Sequence, residues 1–347
     1  MIRVLVADDS ATARALLRAI LEADGDMQVI AEARDGAEAV SLVKQHEPDL
    51  VIMDVHMPVA DGIAATKQIM MESPTPIVIV SAMSQRDVDL SLSATQAGAL
   101  MALPKPESPG SLRFDEAATE IRDMARAMSQ VKVVRYWSAI AGSARELGSR
   151  RGTRERAALV ALAASTGGPA ALRRVLMDLP RTFPVPIVLV QHIARDFAAG
   201  FAEWLGSSCV LPVKVAEHGE ALQPGVVYVA PDDRHLGVTR DGRVRLGSEP
   251  PVSGFRPSAT YLFESAARAF GPGLVAVILT GMGADGADGL LAAHAAGAYV
   301  IAQDETTSIV YGMAQEAVRR GAVDAIVPLA QIAPRLLNAV ARETDAG

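Results

Sequence analysis

One phrase recurs along this chain and constrains its fold more than any other feature. A short apolar run ends in a carboxylate or hydroxyl, and a helical stretch follows. Ile2–Ala7 runs into Asp8-Asp9, and a helix follows over Ala11–Leu21 with Ser10 as its N-cap. Met27–Ala33 and Gly36–Gln45 repeat the pattern. Leu50–Met53 ends in Asp54 before a helix over Ile63–Met71, and Ile77–Val80 ends in Ser81-Ala82 before Asp87–Gln96. Ala99–Leu103 precedes Pro104-Lys105-Pro106 and a last helix, Asp115–Met128. Fully apolar strands separated by helices predict a parallel sheet covered on both faces.

The pattern resumes after residue 157. Strands are expected at Ala158–Ala164, Ile187–Gln191, Val226–Val229, Leu274–Leu279 and Tyr299–Ala302. Helices are expected at Ala170–Met177, Ala198–Leu205, Thr260–Ala269, Gly286–Ala295 and Gly312–Arg320. Lys214–Leu246, with turns at Pro224-Gly225 and Asp241-Gly242, reads as a small antiparallel insert. Val131–Arg156 is rich in Arg, Gly and Ser and keeps no period, so it reads as a linker. A chain of 347 residues then divides into an N-terminal α/β domain over 1–128, a linker over 129–156 and a C-terminal α/β domain over 157–347 with a mostly parallel sheet.

Charge follows the same division. Residues 1–130 hold 11 basic and 20 acidic residues, residues 131–158 hold 7 and 2, and the remainder 15 and 18. The net charge of −7 argues against a nucleic-acid binder, and no basic helix-turn-helix segment follows the first domain. The basic linker is either a solvated connector or a segment that docks on the acidic first domain. The single cysteine, Cys209, excludes an internal disulfide and a cysteine zinc site. No apolar run reaches the roughly 18 residues of a membrane span. The start, Met1-Ile2-Arg3, leads straight into a strand, so a cytoplasmic protein without membrane insertion is expected.

Ligands in an open α/β sheet gather at the carboxyl ends of its strands. In a flavodoxin-like strand order, Asp8, Asp9 and Asp54 converge in one crevice. Three carboxylates repel one another unless a cation neutralises them, and an oxygen-only set suits Mg²⁺. Ser81 and Lys105 opposite the metal suit a phosphoryl group. Asp54, alone on the central strand, is the expected phosphoryl acceptor. These residues resemble a two-component receiver domain through Val6-Ala7-Asp8-Asp9-Ser10, Met53-Asp54-Val55-His56-Met57-Pro58, Asp61-Gly62, Val80-Ser81-Ala82 and Lys105-Pro106. The resemblance implies phosphorylation of Asp54 by a histidine kinase. It also implies Mg²⁺ held by Asp8, Asp9 and Asp54 with the Val55 or His56 backbone, and phosphoryl contacts from Ser81 and Lys105. It departs at Ala102, where receivers commonly carry an aromatic switch residue.

The second domain opens on Ser165-Thr166-Gly167-Gly168-Pro169 at a strand-to-helix turn. Such a turn suits either a nucleophile beside an oxyanion site or a phosphate, although no dinucleotide or P-loop signature is present. His192 follows the next long strand, and Asp285 lies in Thr280-Gly281-Met282-Gly283-Ala284-Asp285-Gly286. A serine, a histidine and an aspartate on one sheet face suit acyl transfer. The order Ser-His-Asp and the lack of G-x-S-x-G set this apart from α/β-hydrolases. Asp285 and Asp288 as metal ligands are the alternative. Met282 reads as packing near the triad, and the remaining histidines as solvated or core residues.

This half resembles the catalytic domain of chemotaxis receptor methylesterases. The motifs are Ala164-Ser165-Thr166-Gly167-Gly168-Pro169, Val190-Gln191-His192-Ile193, Val229-Ala230-Pro231, Arg256-Pro257-Ser258, Leu279–Gly286, Ala302-Gln303-Asp304-Glu305 and Val310-Tyr311-Gly312-Met313. With the receiver in front, the whole resembles the response-regulator protein-glutamate methylesterases. That resemblance implies hydrolysis of glutamate methyl esters on methyl-accepting chemoreceptors, accompanied by receptor glutamine deamidation, with Ser165 as nucleophile, His192 as general base and acid, and Asp285 orienting it. Backbone N–H groups around Thr166, Gly167, Gly168, Gly281, Met282 and Gly283 would hold the oxyanion, and no cofactor is needed for the esterase step. The unphosphorylated receiver would cover the catalytic face. The pattern departs at Gly254-Phe255 and Ala259-Thr260, where a histidine often precedes and an aspartate often follows the Arg-Pro-Ser; these changes bear on receptor preference. A receptor-binding module without turnover is the competing expectation.

Overall fold

The computed structural model describes residues 1–81, 90, 93–95, 97–106, 110–111, 114–131, 133, 145–146, 157–193, 195 and 197–341. The chain forms two compact units, Met1–Ala139 and Ile140–Gly347.

The first unit carries β1 (Ile2–Ala7), β2 (Met27–Ala33), β3 (Leu50–Met53), β4 (Ile77–Ser81) and β5 (Met101–Pro104) in the order β2-β1-β3-β4-β5. Every pairing is parallel. All residues of β3 and β4 are buried, as a strand covered by helices on both faces requires. Flanking helices span Ala11–Glu22, Gly36–His46, Gly62–Glu72 and Phe114–Met128. Of the helix expected over Asp87–Gln96, residues 90 and 93–95 are described, and they are helical. Ser10 caps the first helix, its hydroxyl accepting from the Ala13 N–H at 3.3 Å.

The second unit carries β6 (Arg145–Glu146), β7 (Leu159–Ala164), β8 (Ile187–Gln191), β9 (Val213–Val215), β10 (Val227–Val229), β11 (His235–Val238), β12 (Val244–Gly247), β13 (Leu274–Ile278), β14 (Tyr299–Gln303) and β15 (Ala325–Val327). The main sheet runs β6-β15-β14-β13-β7-β8-β10-β9, parallel except for the β15–β6 edge. Every residue of β7 is buried, and each large aliphatic side chain there contributes about 1.5–3 kcal/mol by leaving water.

Two expectations change. Lys214 lies in β9, a parallel edge strand of the main sheet, so the antiparallel insert shrinks to the β11–β12 hairpin, closed over Asp241-Gly242. Apolar Leu236, Val238 and Val244 tie that hairpin into the same core as Leu262 and Ala266. The apolar pattern does not predict strand β15 or the helix Leu329–Val340: the strand is three residues long, and Pro334 inside the helix masks its period. Most of 131–156 falls outside the described residues, but Arg145–Glu146 joins the sheet edge. Among the described residues, no helix is long and apolar enough to cross a membrane.

Candidate functional site

Both units place polar residues at the carboxyl ends of neighbouring strands. In the first unit β1 lies between β2 and β3, which brings Asp8 and Asp9 beside Asp54. Ligand oxygens of the three carboxylates lie within 4.8 Å of one another, the one such grouping among the described residues. Asp8 and Asp54 are buried and Asp9 is exposed. The Ser10 N–H donates to Asp8 Oδ1 at 2.9 Å, so the residue that caps the helix also fixes the carboxylate.

Lys105 reaches this cluster from the end of β5. Its Nζ stands 2.7 Å from Asp8 Oδ2 and 3.0 Å from Asp54 Oδ2, and its backbone N–H donates to the Ser81 carbonyl. Burial pushes the Asp54 carboxyl up, and the Asp8 charge adds to this; Lys105 offsets only part of it. Burial pulls the Lys105 ammonium down, but its bonds to Asp8 and Asp54 outweigh that and leave it raised. The Ser81 hydroxyl is buried and has no hydrogen-bond partner among the described residues. Three carboxylates, one cation and an unpaired buried hydroxyl make a donor set that fits a hard divalent cation and a phosphoryl group. The Val55 carbonyl accepts from the Gly62 N–H at 2.9 Å, and His56 is exposed. Gly62 cannot be replaced freely: a Cβ there would stand 2.1 Å from the Asp54 carbonyl oxygen. Ala102 is half-buried.

In the second unit β7 is flanked by β8 and β13. Ser165 follows β7, His192 follows β8, and the Thr280–Gly286 loop follows β13. Main-chain bonds knit these ends together: Ser165 N–H donates to the Thr280 carbonyl at 3.0 Å, and His192 N–H to the Ala164 carbonyl at 3.0 Å. The Gln191 side-chain amide donates to the Ser165 carbonyl at 2.9 Å and to the His192 carbonyl at 2.8 Å. Gly281 presses directly against the serine, since a Cβ there would meet Ser165 Cβ at 2.7 Å and Met313 Sδ at 2.4 Å.

His192 Nε2 lies 2.9 Å from Asp285 Oδ2. With a carboxylate as its partner, Nε2 carries the hydrogen and Nδ1 the lone pair. Nδ1 is buried and has no hydrogen-bond partner among the described residues. Asp285 also accepts from the Ser258 hydroxyl at 2.8 Å, the Ala259 N–H at 2.7 Å and the Thr260 N–H at 3.1 Å. The last two belong to the start of the helix Ala259–Phe270, where free N–H groups favour negative charge. Burial alone would raise the Asp285 carboxyl; the His192 ring, Ser258 and the Ala259 N–H overcome it and hold the group at about 2.

The remaining loop residues divide by what their N–H groups do. Gly168 donates to the Ser165 carbonyl at 2.7 Å and Gly281 to the Val310 carbonyl at 3.0 Å, so both are occupied. The N–H groups of Thr166, Gly167, Met282 and Gly283 have no acceptor among the described residues. Asp288 pairs with Arg320, and no metal grouping forms around Asp285 among the described residues. His235 is fully buried, stacked on Tyr261 and bonded to the Pro250 carbonyl, as a core histidine would be.

Three contributors lie in motifs already named, but the sequence assigns them no role. Gln191 clamps two carbonyls, and Ser258 with its two following N–H groups seats Asp285; the helix N-cap pattern at Ser258 was the available signal. Phe255 stacks on His192, with ring centroids 3.9 Å apart and planes 4° apart. No periodicity in the sequence announces that contact.

Residues 160–336 match the family model of the CheB methylesterases, and residues 4–114 that of the response regulator receiver domain. The chain is similar to protein-glutamate methylesterase/protein-glutamine glutaminase 4 of Myxococcus xanthus (strain DK1622), 51% identical over 341 residues, 97% of each chain. It is similar to the protein-glutamate methylesterase/protein-glutamine glutaminase of Nitrosospira multiformis, 44% identical over 350 residues, 99% of each chain. The crystal structure of the Thermotoga maritima CheB methylesterase catalytic domain matches with a TM-score of 0.51 at 37% identity, covering 53% of this chain and 99% of that one.

Proposed function

The chain belongs to the CheB methylesterase family, in the form that opens with a response regulator receiver domain, and from that premise we propose that it hydrolyses glutamate methyl esters on chemoreceptors under the control of phosphorylation at Asp54. Receptor glutamine deamidation accompanies the reaction, because both substrates pass through one acyl-enzyme. The domains run over 1–128 for the receiver and 157–347 for the catalytic part. The linker, 129–156, lends Arg145–Glu146 to the catalytic sheet. The protein works in the cytoplasm.

The observation that carries the reading is the His192 ring held by Asp285 at Nε2, with Nδ1 buried and unpaired among the described residues. Ser165 attacks the ester carbonyl while His192 Nδ1 takes its proton. Asp285 stays ionised, fixes the tautomer and stabilises the imidazolium. Thr166, Gly167, Met282 and Gly283 offer N–H groups to the oxyanion; Gly168 and Gly281 shape the turn. Collapse expels methanol with the proton from His192. Water then takes the place of methanol, and glutamate is released.

In the receiver, Asp54 accepts a phosphoryl group from a histidine kinase, and Ser81 and Lys105 contact it. Asp8, Asp9 and Asp54 would hold Mg²⁺, which supplies charge neutralisation for phosphoryl transfer. A charge change at Asp54 biases a two-state element and releases the esterase. With Ala102 in place of an aromatic switch, that bias travels through backbone and helix shifts.

The test is methanol release from methylated receptor membranes, with wild type and Ser165→Ala, with and without a small phosphodonor and Mg²⁺. Release that needs Ser165 and rises with the phosphodonor is expected. Release from wild type that ignores the phosphodonor removes the coupling. No release from folded protein offered its own organism's receptors returns the binding-module reading.

A further inference from the structure

We propose that Phe255 is a positioning residue for the esterase: its ring backs the His192 imidazole and favours the protonated ring formed when Ser165 gives up its proton. This rests on the reading of His192 as general base.

The stack is close and flat, at 3.9 Å and 4°, and it covers a side chain left only 7% exposed. Phe255 sits on the loop between β12 and the helix Ala259–Phe270, and that loop is fixed along its length. Val252 and Phe255 exchange two backbone hydrogen bonds, at 3.1 and 2.9 Å, around Ser253 and Gly254. Next in the chain, the Arg256 guanidinium bonds Asp233 at 2.6 and 3.0 Å and the Glu249 carbonyl at 3.2 Å. Ser258 then donates to Asp285. One short segment therefore supplies both the platform under the imidazole and the donors that seat its carboxylate partner. With the ring plane pinned by Phe255 and Nε2 pinned by Asp285, Nδ1 is the nitrogen left for the serine proton.

An aromatic face carries negative quadrupole density and attracts a cation stacked on it. An aliphatic side chain of similar size excludes water equally but lacks that attraction. Among the described residues, the charged group paired with the imidazole is Asp285, and the nearby arginines Arg256 and Arg195 pair with Asp233.

The experiment compares full-length Phe255→Leu and Phe255→Tyr with wild type. Phe255→Leu is expected to lower kcat about two- to fivefold with KM little changed, the size of a partly buried cation–π contact. Its acidic limb in kcat/KM should move about half a pH unit lower, because the imidazolium loses a stabilising face. Phe255→Tyr restores both. An unmoved limb with wild-type kcat in Phe255→Leu, or equal impairment of the Leu and Tyr variants, overturns the proposal. In the Ser165→Ala protein, the carbon-bound imidazole protons of His192 should resonate upfield through the Phe255 ring current and shift back in Ser165→Ala/Phe255→Leu; unchanged resonances overturn the stack. Methanol release by Ser165→Ala at the wild-type rate would instead remove the underlying reading, and the resonances decide the stack in either case.

Discussion

Asp54 and Asp285 are the buried carboxylates at the centre of the two sites. Each is a buried carboxylate on the segment that follows a strand, Asp54 directly after β3 and Asp285 at the far end of the loop after β13, and burial pushes both carboxyls up. The outcomes are opposite. Asp285 receives four hydrogen bonds, from His192, Ser258, Ala259 and Thr260, and is held at about 2. Asp54 has Lys105 at 3.0 Å, shared with Asp8, and the Val55 N–H, and stays raised. Burial is common to both, so the donors decide. A carboxylate with all its acceptor sites filled is a fixed negative charge, suited to orienting a histidine. A carboxylate short of donors is an unfinished site, suited to a cation and to covalent change.

The largest consequence falls on the finished site. Asp285→Asn is expected to lower kcat about 10⁴-fold, because an amide can present its NH₂ to His192 and force the wrong tautomer. Steady-state methanol release measures it. A loss of only a few-fold would mean that the four bonds to Asp285 hold structure and leave the imidazole to other groups. The corresponding change in the first unit, Asp54→Asn, should leave basal release intact and remove its response to a phosphodonor.

The unfinished site should gain most from a ligand. Mg²⁺ at one hundred times its dissociation constant is expected to stabilise the first unit by about 2.7 kcal/mol, seen as a rise in the lower or upper of two calorimetric transitions. Asp9→Ala should erase the rise without moving the other transition. Equal stabilisation of Asp9→Ala would place the cation elsewhere.

How far these two sites could be read from sequence divides along the same line. Asp8, Asp9, Asp54 and Lys105 are strand-end residues, and hydrophobic runs mark strand ends well. So are Ser165 and His192, and the topology that joins β8, β7 and β13 brings them to Asp285. Alternation of apolar runs reports which segments are strands, but not which of their loops fold back. Phe255 and Ser258 reach the second site from a loop after a hairpin. No period encodes the Phe255 stack, and Ser258 is marked by its Arg256-Pro257-Ser258 motif and its N-cap pattern without showing that it reaches Asp285. Gln191 was legible as the last strand residue, but its double clamp depends on a side-chain direction that burial patterns leave open. The carboxylate cluster was therefore nearly complete in sequence, while the donors that finish Asp285 were not.

Acid should separate the two carboxylates. Asp285 titrates lower in the folded protein than the ordinary 3.8, so its contribution is fully present above about pH 4 and disappears as pH falls toward 2. The change is roughly 2 kcal/mol. Denaturant titrations of the second unit across that window should show it, and Asp285→Asn should flatten this part of the profile. A slope unchanged in the variant would assign the acid sensitivity to other carboxylates.

The smallest effect runs the other way and tests the comparison most directly. The folded state raises the Asp54 carboxyl, so it binds the proton more tightly than the unfolded chain does, and the ionised group at neutral pH costs stability. Removing the charge relieves that cost. Lys105 does not become an unpaired buried cation, because Asp8 remains 2.7 Å away. Asp54→Asn should therefore raise the metal-free melting temperature of the first unit by about a few degrees, and should reduce its gain from Mg²⁺. Asp285→Asn, which leaves donors facing donors, should lower the melting temperature of the second unit. Isosteric substitutions of two buried aspartates would then act with opposite sign. If both lowered stability, Lys105 would be satisfying Asp54 as fully as four donors satisfy Asp285, and the first site would be closed rather than open.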